Sequence, residues 1–130
     1  MRSFYFFILI IPLVFQNQTN CNKQNKTNDC FKGRLEIKGI CANYVISVIE
    51  GAADTSRVVD NWKDPVTGKS YSHVFKLDSP CTFPDNINEG DEFYFKFTDK
   101  STEECVVCLA YRPVPGKKNM IIISKTPCRP

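Results

Sequence analysis

The chain has 130 residues, 42% of them hydrophobic and 24% charged, with a formal charge of +3. That is one domain's worth of ordinary globular composition, which excludes a multidomain enzyme, a collagen-like chain and a polytopic membrane protein. A positive charge so small and dispersed also argues against nucleic-acid binding.

Arg2 is the only charge ahead of an apolar run at residues 4–15, and polarity begins abruptly at Gln16. A membrane-spanning helix needs roughly 20 apolar residues. The run instead fits the apolar centre of a secretory signal peptide, and residues 1–20 are read as that leader. No small-x-small cleavage site follows Phe15. Cys21 comes next, succeeded by Asn22-Lys23-Gln24-Asn25-Lys26.

This start resembles the lipid-attachment site of bacterial lipoproteins. The resemblance implies that Cys21 becomes the first mature residue and carries acyl chains that hold the protein to a membrane. Gln18, Thr19 and Asn20 depart from the small or aliphatic residues of that pattern. Parity points the same way: seven cysteines are odd for an exported chain, and setting Cys21 aside leaves six. A free thiol, an intermolecular disulfide or an unanchored secreted protein is the alternative. Asn17-Gln18-Thr19 and Asn25-Lys26-Thr27 are formal glycosylation acceptors.

Residues 16–29 hold five asparagines, three glutamines and, apart from Cys21, nothing apolar. Such a segment cannot repay the entropy of ordering. Residues 21–29 are therefore expected to be a flexible tether, and residues 30–130 a single β domain.

Within that domain the hydrophobic period is two. Leu35 and Ile37 alternate with charged neighbours, Phe93, Phe95 and Phe97 share a face, and residues 71–77 alternate similarly. Runs 44–49 and 106–111 are apolar on both faces, as central strands are. Residues 121–123 close the set. Asp64-Pro65-Val66-Thr67-Gly68-Lys69 predicts a hairpin between runs 57–62 and 70–77. About seven short strands without an amphipathic helix predict an all-β fold, either a small disulfide-stapled OB-like barrel or a sandwich.

Cys30, Cys41, Cys81, Cys105, Cys108 and Cys128 are the disulfide candidates. Six cysteines allow fifteen pairings. Cys30 and Cys128 bracket the domain and are placed to tie its ends. Cys105 and Cys108 would face opposite sides of a regular strand, so each is expected to pair elsewhere.

Catalytic and metal motifs fail in turn. Cys105-Val106-Val107-Cys108 lacks both the helix N-terminus of a redox dithiol and the second ligand pair of a zinc site. Gly68-Lys69-Ser70 has Lys63 where a phosphate-binding loop needs glycine. Asp85, Glu89, Asp91 and Glu92 miss the calcium-loop pattern, with Ile87 and Lys96 at ligand positions. His73 is read as a packed residue with no partner for nucleophilic catalysis. Trp62, Tyr71, Phe75 and Tyr111 suit a β core or a binding groove. Arg112, Lys117, Lys118, Lys125 and Arg129 read as solvated edge-strand charges or an anion-attracting patch. No catalytic, cofactor or metal site is assigned.

The stretch Gly33-Arg-Leu-Glu-Ile-Lys-Gly-Ile-Cys-Ala-Asn-Tyr44 is similar to segments of small lipoproteins of Bacteroidota-type bacteria. Asn88-Glu-Gly-Asp-Glu-Phe-Tyr-Phe95 and residues 105–111 are similar to theirs as well. The resemblance implies a cell-envelope location and no activity. The sequence thus leads us to expect an exported, lipid-anchored envelope protein whose β domain is non-enzymatic and either binds an envelope protein or small ligand or serves a structural role, its specific activity unassigned. The alternative is a secreted inhibitor or ligand-binding module. Thiol titration of the unfolded, unreduced Cys21→Ser protein should find almost no free sulfhydryl; several would overturn the three-bridge framework.

Overall fold

Where a strand is covered, and on how many sides, decides how its side chains are used. A computed structural model describes residues 29–100 and 106–128. Residues 1–20, read from the sequence as a signal peptide, Cys21, residues 22–28, Cys105 and Arg129 lie outside the described residues.

Seven strands form in chain order: β1 (Phe31–Lys38), β2 (Tyr44–Glu50), β3 (Trp62–Lys63), β4 (Ser70–Tyr71), β5 (Val74–Leu77), β6 (Glu92–Thr98) and β7 (Lys118–Ser124). Five of them close into a barrel in the order β1-β2-β5-β7-β6, and β3-β4 is a separate hairpin. The fold is therefore a barrel, not a sandwich. Every neighbouring pair is antiparallel except β5–β7, which run parallel through only Lys76↔Lys118 and Leu77↔Asn119. A meander followed by that crossover is the arrangement of a small OB-like barrel.

Closure rests on β1, which pairs with β2 on one side and β6 on the other. Its ladder with β2 shifts register between Lys32 and Gly33 and again between Leu35 and Ile37. Such bulges bend a strand and raise its twist, which a barrel wall requires. Gly33 also makes room for the core: a Cβ there would lie 2.8 Å from the Phe95 ring and 3.2 Å from the Ile46 methyl.

The second shift re-aims Ile37. Leu35, Ile46, Phe75, Leu77 and Phe95 fill the barrel interior, all wholly buried. Ile37, Val45 and Val74 form a second cluster, roofed by Trp62, Tyr71 and Val114. Neighbours such as Val45 and Ile46 are thus both buried, one in each cluster. The β3–β4 hairpin covers the outer face of β2 and β5, which is why run 44–49 is apolar on both sides.

Inside, Phe93, Phe95 and Phe97 make a tilted and edge-on ladder with Phe31, Phe75 and Phe83. Such pairs contribute about 0.5–1.5 kcal/mol each beyond burial.

Two segments differ from the sequence reading. Run 70–77 breaks at His73, whose φ of 54° lies in the left-handed region and separates β4 from β5. Of run 57–62 only Trp62 joins a strand, with Val59 bridging Val74.

Cys30–Cys128 joins the chain on either side of β1 and β7, across a sequence separation of 98. Cys41–Cys108 joins two loops 67 residues apart, and Cys81 is also disulfide-bonded. Bridges closing loops this long stabilise by about 2–4 kcal/mol each. They are consistent with an oxidising, extracytoplasmic environment.

Gly33→Ala should lower unfolding stability by about 1–3 kcal/mol, because the new methyl forces the Phe95 ring or the backbone aside. Denaturant titration measures it, and an unchanged midpoint would refute the packing role given to Gly33.

Candidate binding surface

Residues 106–111, expected as a buried central strand, make no strand. They run without turn, bend or ladder, and all six are exposed. Leu109 is 100% accessible, Val106 94% and Tyr111 85%. Apolar side chains on both faces gave the strand reading, but here no second layer covers them. The geometric argument that Cys105 and Cys108 face opposite sides of a strand lapses with it.

The segment is nevertheless held in place at three points. Cys108 is bonded to Cys41 in the loop between β1 and β2. Asn43 Nδ2 donates to the Ala110 carbonyl at 3.1 Å while also donating to the Ile40 carbonyl at 2.9 Å. Arg112, at the segment's end, pairs with wholly buried Asp64 in the hairpin turn at 2.9 Å. Gly39 lets Arg112 through, since a Cβ there would lie 2.9 Å from the Arg112 Cδ.

The β1–β2 loop bends sharply to meet the bridge. Cys41 and Ala42 both have positive φ, 53° and 58°. That conformation is disfavoured for residues with a Cβ, and its cost is met by the bridge and the Asn43 bonds. Ile40 projects from the same loop at 64% exposure. One barrel end therefore presents Ile40, Val106, Val107, Leu109 and Tyr111 on two covalently joined loops. Beside them lies a cavity of about 300 Å³ whose lining includes Ala42, Asn43, Lys76, Asp78, Pro80 and Tyr111.

Asp64 is the charged anchor of this end. Burial acts to raise its pKa, but the Val66 N–H at 3.0 Å, the Thr67 hydroxyl at 2.8 Å and the Arg112 guanidinium prevail. The carboxyl titrates below its usual range and stays ionised. The Arg112 Nε is buried without a partner, so among the described residues the guanidinium is committed through Nη2.

The remaining sequence candidates disperse. His73 is exposed beside Asp60 at 3.2 Å, not packed in the core. Trp62 and Tyr71 stack on each other over the second cluster, and Phe75 lies in the first. Only Tyr111 of the four aromatics is free to meet a partner. The carboxylates at 85–92 face different tasks: Glu89 accepts the Lys38 N–H, Asp91 accepts the Asn88 N–H, and Glu92 bridges Lys32 and Arg34. Arg112 is not a solvated edge charge, and β7 is not an edge, since it pairs with both β5 and β6. Among the described residues no cluster of histidine, cysteine and carboxylates is placed to hold a metal.

Sequence reasoning missed Ile40, Asn43 and the Asp64–Arg112 pair. The Asp64-Pro65-Val66-Thr67 turn was visible, but nothing local marked its aspartate as buried.

Comparison with protein-family models, with curated proteins and with solved structures finds no match.

Arg112→Ala should destabilise the protein by about 3–5 kcal/mol, because Asp64 is left buried and charged without its cation. The pH dependence has a definite sign. Because Asp64's pKa is lowered by folding, its contribution is complete above the ordinary aspartate value of about 3.9. It is lost as pH falls through the lowered folded value. Asp64→Asn should therefore flatten the acid limb of the stability curve, measured by thermal melts across that range.

Proposed function

We propose that this protein is a non-enzymatic binding module of the cell envelope, exported by residues 1–20 and held to the membrane by lipid on Cys21. Its resemblance to small lipoproteins of Bacteroidota-type bacteria supports that location. The single observation that carries the binding role is the apolar strip over residues 106–111 and Ile40. Uncovered apolar area of this kind, on the order of several hundred Å², marks interaction sites on folded proteins.

The occupant is another extracytoplasmic polypeptide. Val106, Val107, Leu109 and Ala110 carry no charge, and among the described residues no hydrogen bond is made by their backbone groups except at the Ala110 carbonyl. An uncharged apolar strand from a partner matches both properties, supplying backbone donors and acceptors as well as side chains. Lipid tails would leave those groups unpaired. The strip is also built in advance: the bridge, Asn43 and Arg112 fix the loop before a partner arrives, which lowers the ordering cost of binding.

Two measurements test the reading. Membrane fractionation should recover the wild type with the membrane and release the Cys21→Ser protein; equal retention without acyl mass would remove the anchor. A photocrosslinker at position 109 in intact cells should give one discrete adduct, diminished by Tyr111→Ser. The same crosslinker at Lys69 on the hairpin should give none. Equal labelling at both positions would refute the binding surface.

A further inference from the structure

At the opposite end of the barrel lies a larger cavity of about 620 Å³, in the size range of small-molecule sites. Its floor is the Phe31–Phe97 pair, rings edge-on with centroids 4.9 Å apart. Gly51, at φ 103°, roofs the Phe31 ring so closely that a Cβ would lie 2.7 Å from it. Glycine is therefore required at that point of the wall.

Arg57 is held over this floor. Its guanidinium carbon sits 4.9 Å from the Phe97 ring centroid. Its backbone is clamped from both sides: the N–H donates to the Asp54 carbonyl at 2.9 Å, and the carbonyl accepts from Nδ2 of buried Asn119 at 2.7 Å. Val58, next in the chain, is 3% exposed in the barrel core. The guanidinium is thus stacked and oriented, as arginines that receive carboxylates are. Among the described residues its one ion-pair contact is Asp99 at 3.7 Å, and that side chain is 88% exposed. Lys96, also on the cavity wall, makes no ion pair or side-chain hydrogen bond among the described residues.

The acids of the wall set a limit. Asp29 and Asp54 balance Arg57 and Lys96 in charge. Asp54 accepts the Ser56 N–H on Oδ1 at 2.7 Å and makes no ion pair with Arg57 among the described residues; the Ser56 N–H first, and the nearby Arg57 charge more weakly, hold its pKa below the ordinary value. A single negative charge is accommodated by direct pairing with the arginine, while a polyanion meets both carboxylates.

We infer that this cavity binds a small monoanion with a flat apolar body. The carboxylate pairs with Arg57 and Lys96, and the body lies against Phe31 and Phe97. This site is independent of the strip at residues 106–111.

The test uses the Cys21→Ser protein with 2-naphthoate, its neutral amide and naphthalene tetracarboxylate as probes. Naphthoate should shift the amide NMR signals of Gly51, Ala52 and Phe97 and bind at least tenfold more tightly than either other probe. Arg57→Gln should abolish that difference while the spectrum stays folded, and Lys96→Gln should reduce it. Lys32→Gln, outside the cavity, should leave it unchanged. Equal affinity for acid and amide, tighter binding of the polyanion, shifts confined to residues 106–111, or no binding would each overturn the inference.

Discussion

Barrel closure through β1 is the constraint on which the rest of the structure depends. A single strand has to serve two partners, β2 and β6, while bending enough to complete the wall. Two register shifts and a glycine achieve it, and their placement has consequences well beyond the strand. Gly33 admits the Phe95 ring; the second shift turns Ile37 out of the interior and into the cluster under the hairpin. With the wall closed, none of the five barrel strands is left as an open edge, so protection of edges by surface lysines is not needed there. Closure also puts the two functional candidates at opposite ends of one rigid body.

How much of this could be read from the residues varies with the range of the forces involved. The phenylalanine ladder of β6 was legible because alternation is local and its inner face meets a core whatever the topology. The hairpin was legible from Asp64-Pro65 and Gly68, since turn geometry is a property of a few adjacent residues. The bracketing of the domain by Cys30 and Cys128 was visible from position alone. Barrel against sandwich was not, because both satisfy the same alternation.

The most instructive contrast is between β2 and residues 106–111. Both are apolar on two faces, and nothing in their composition separates them. β2 is covered on both sides because the hairpin folds back over Val45 and Val74. Residues 106–111 are tied to the Cys41 loop, but among the described residues no layer covers their outer side, and all six are exposed. Whether an apolar run is core or contact surface is thus settled by a layer that comes from elsewhere in the chain. Asp64 and Arg112 illustrate the same limit: they are 48 residues apart, and their pairing exists only once the hairpin and the last long loop have met.

The Cys30–Cys128 bridge bears on how the barrel withstands tension. Chain leading in from the N-terminal side reaches Cys30 immediately before β1, the strand whose loss would open the wall. A pull arriving there alone would unzip β1 from β6 one residue at a time. The bridge shares the tug with the end of β7, which flanks β6 on its other side. Both neighbours of β6 are then drawn together, and the seam must slide in shear rather than peel.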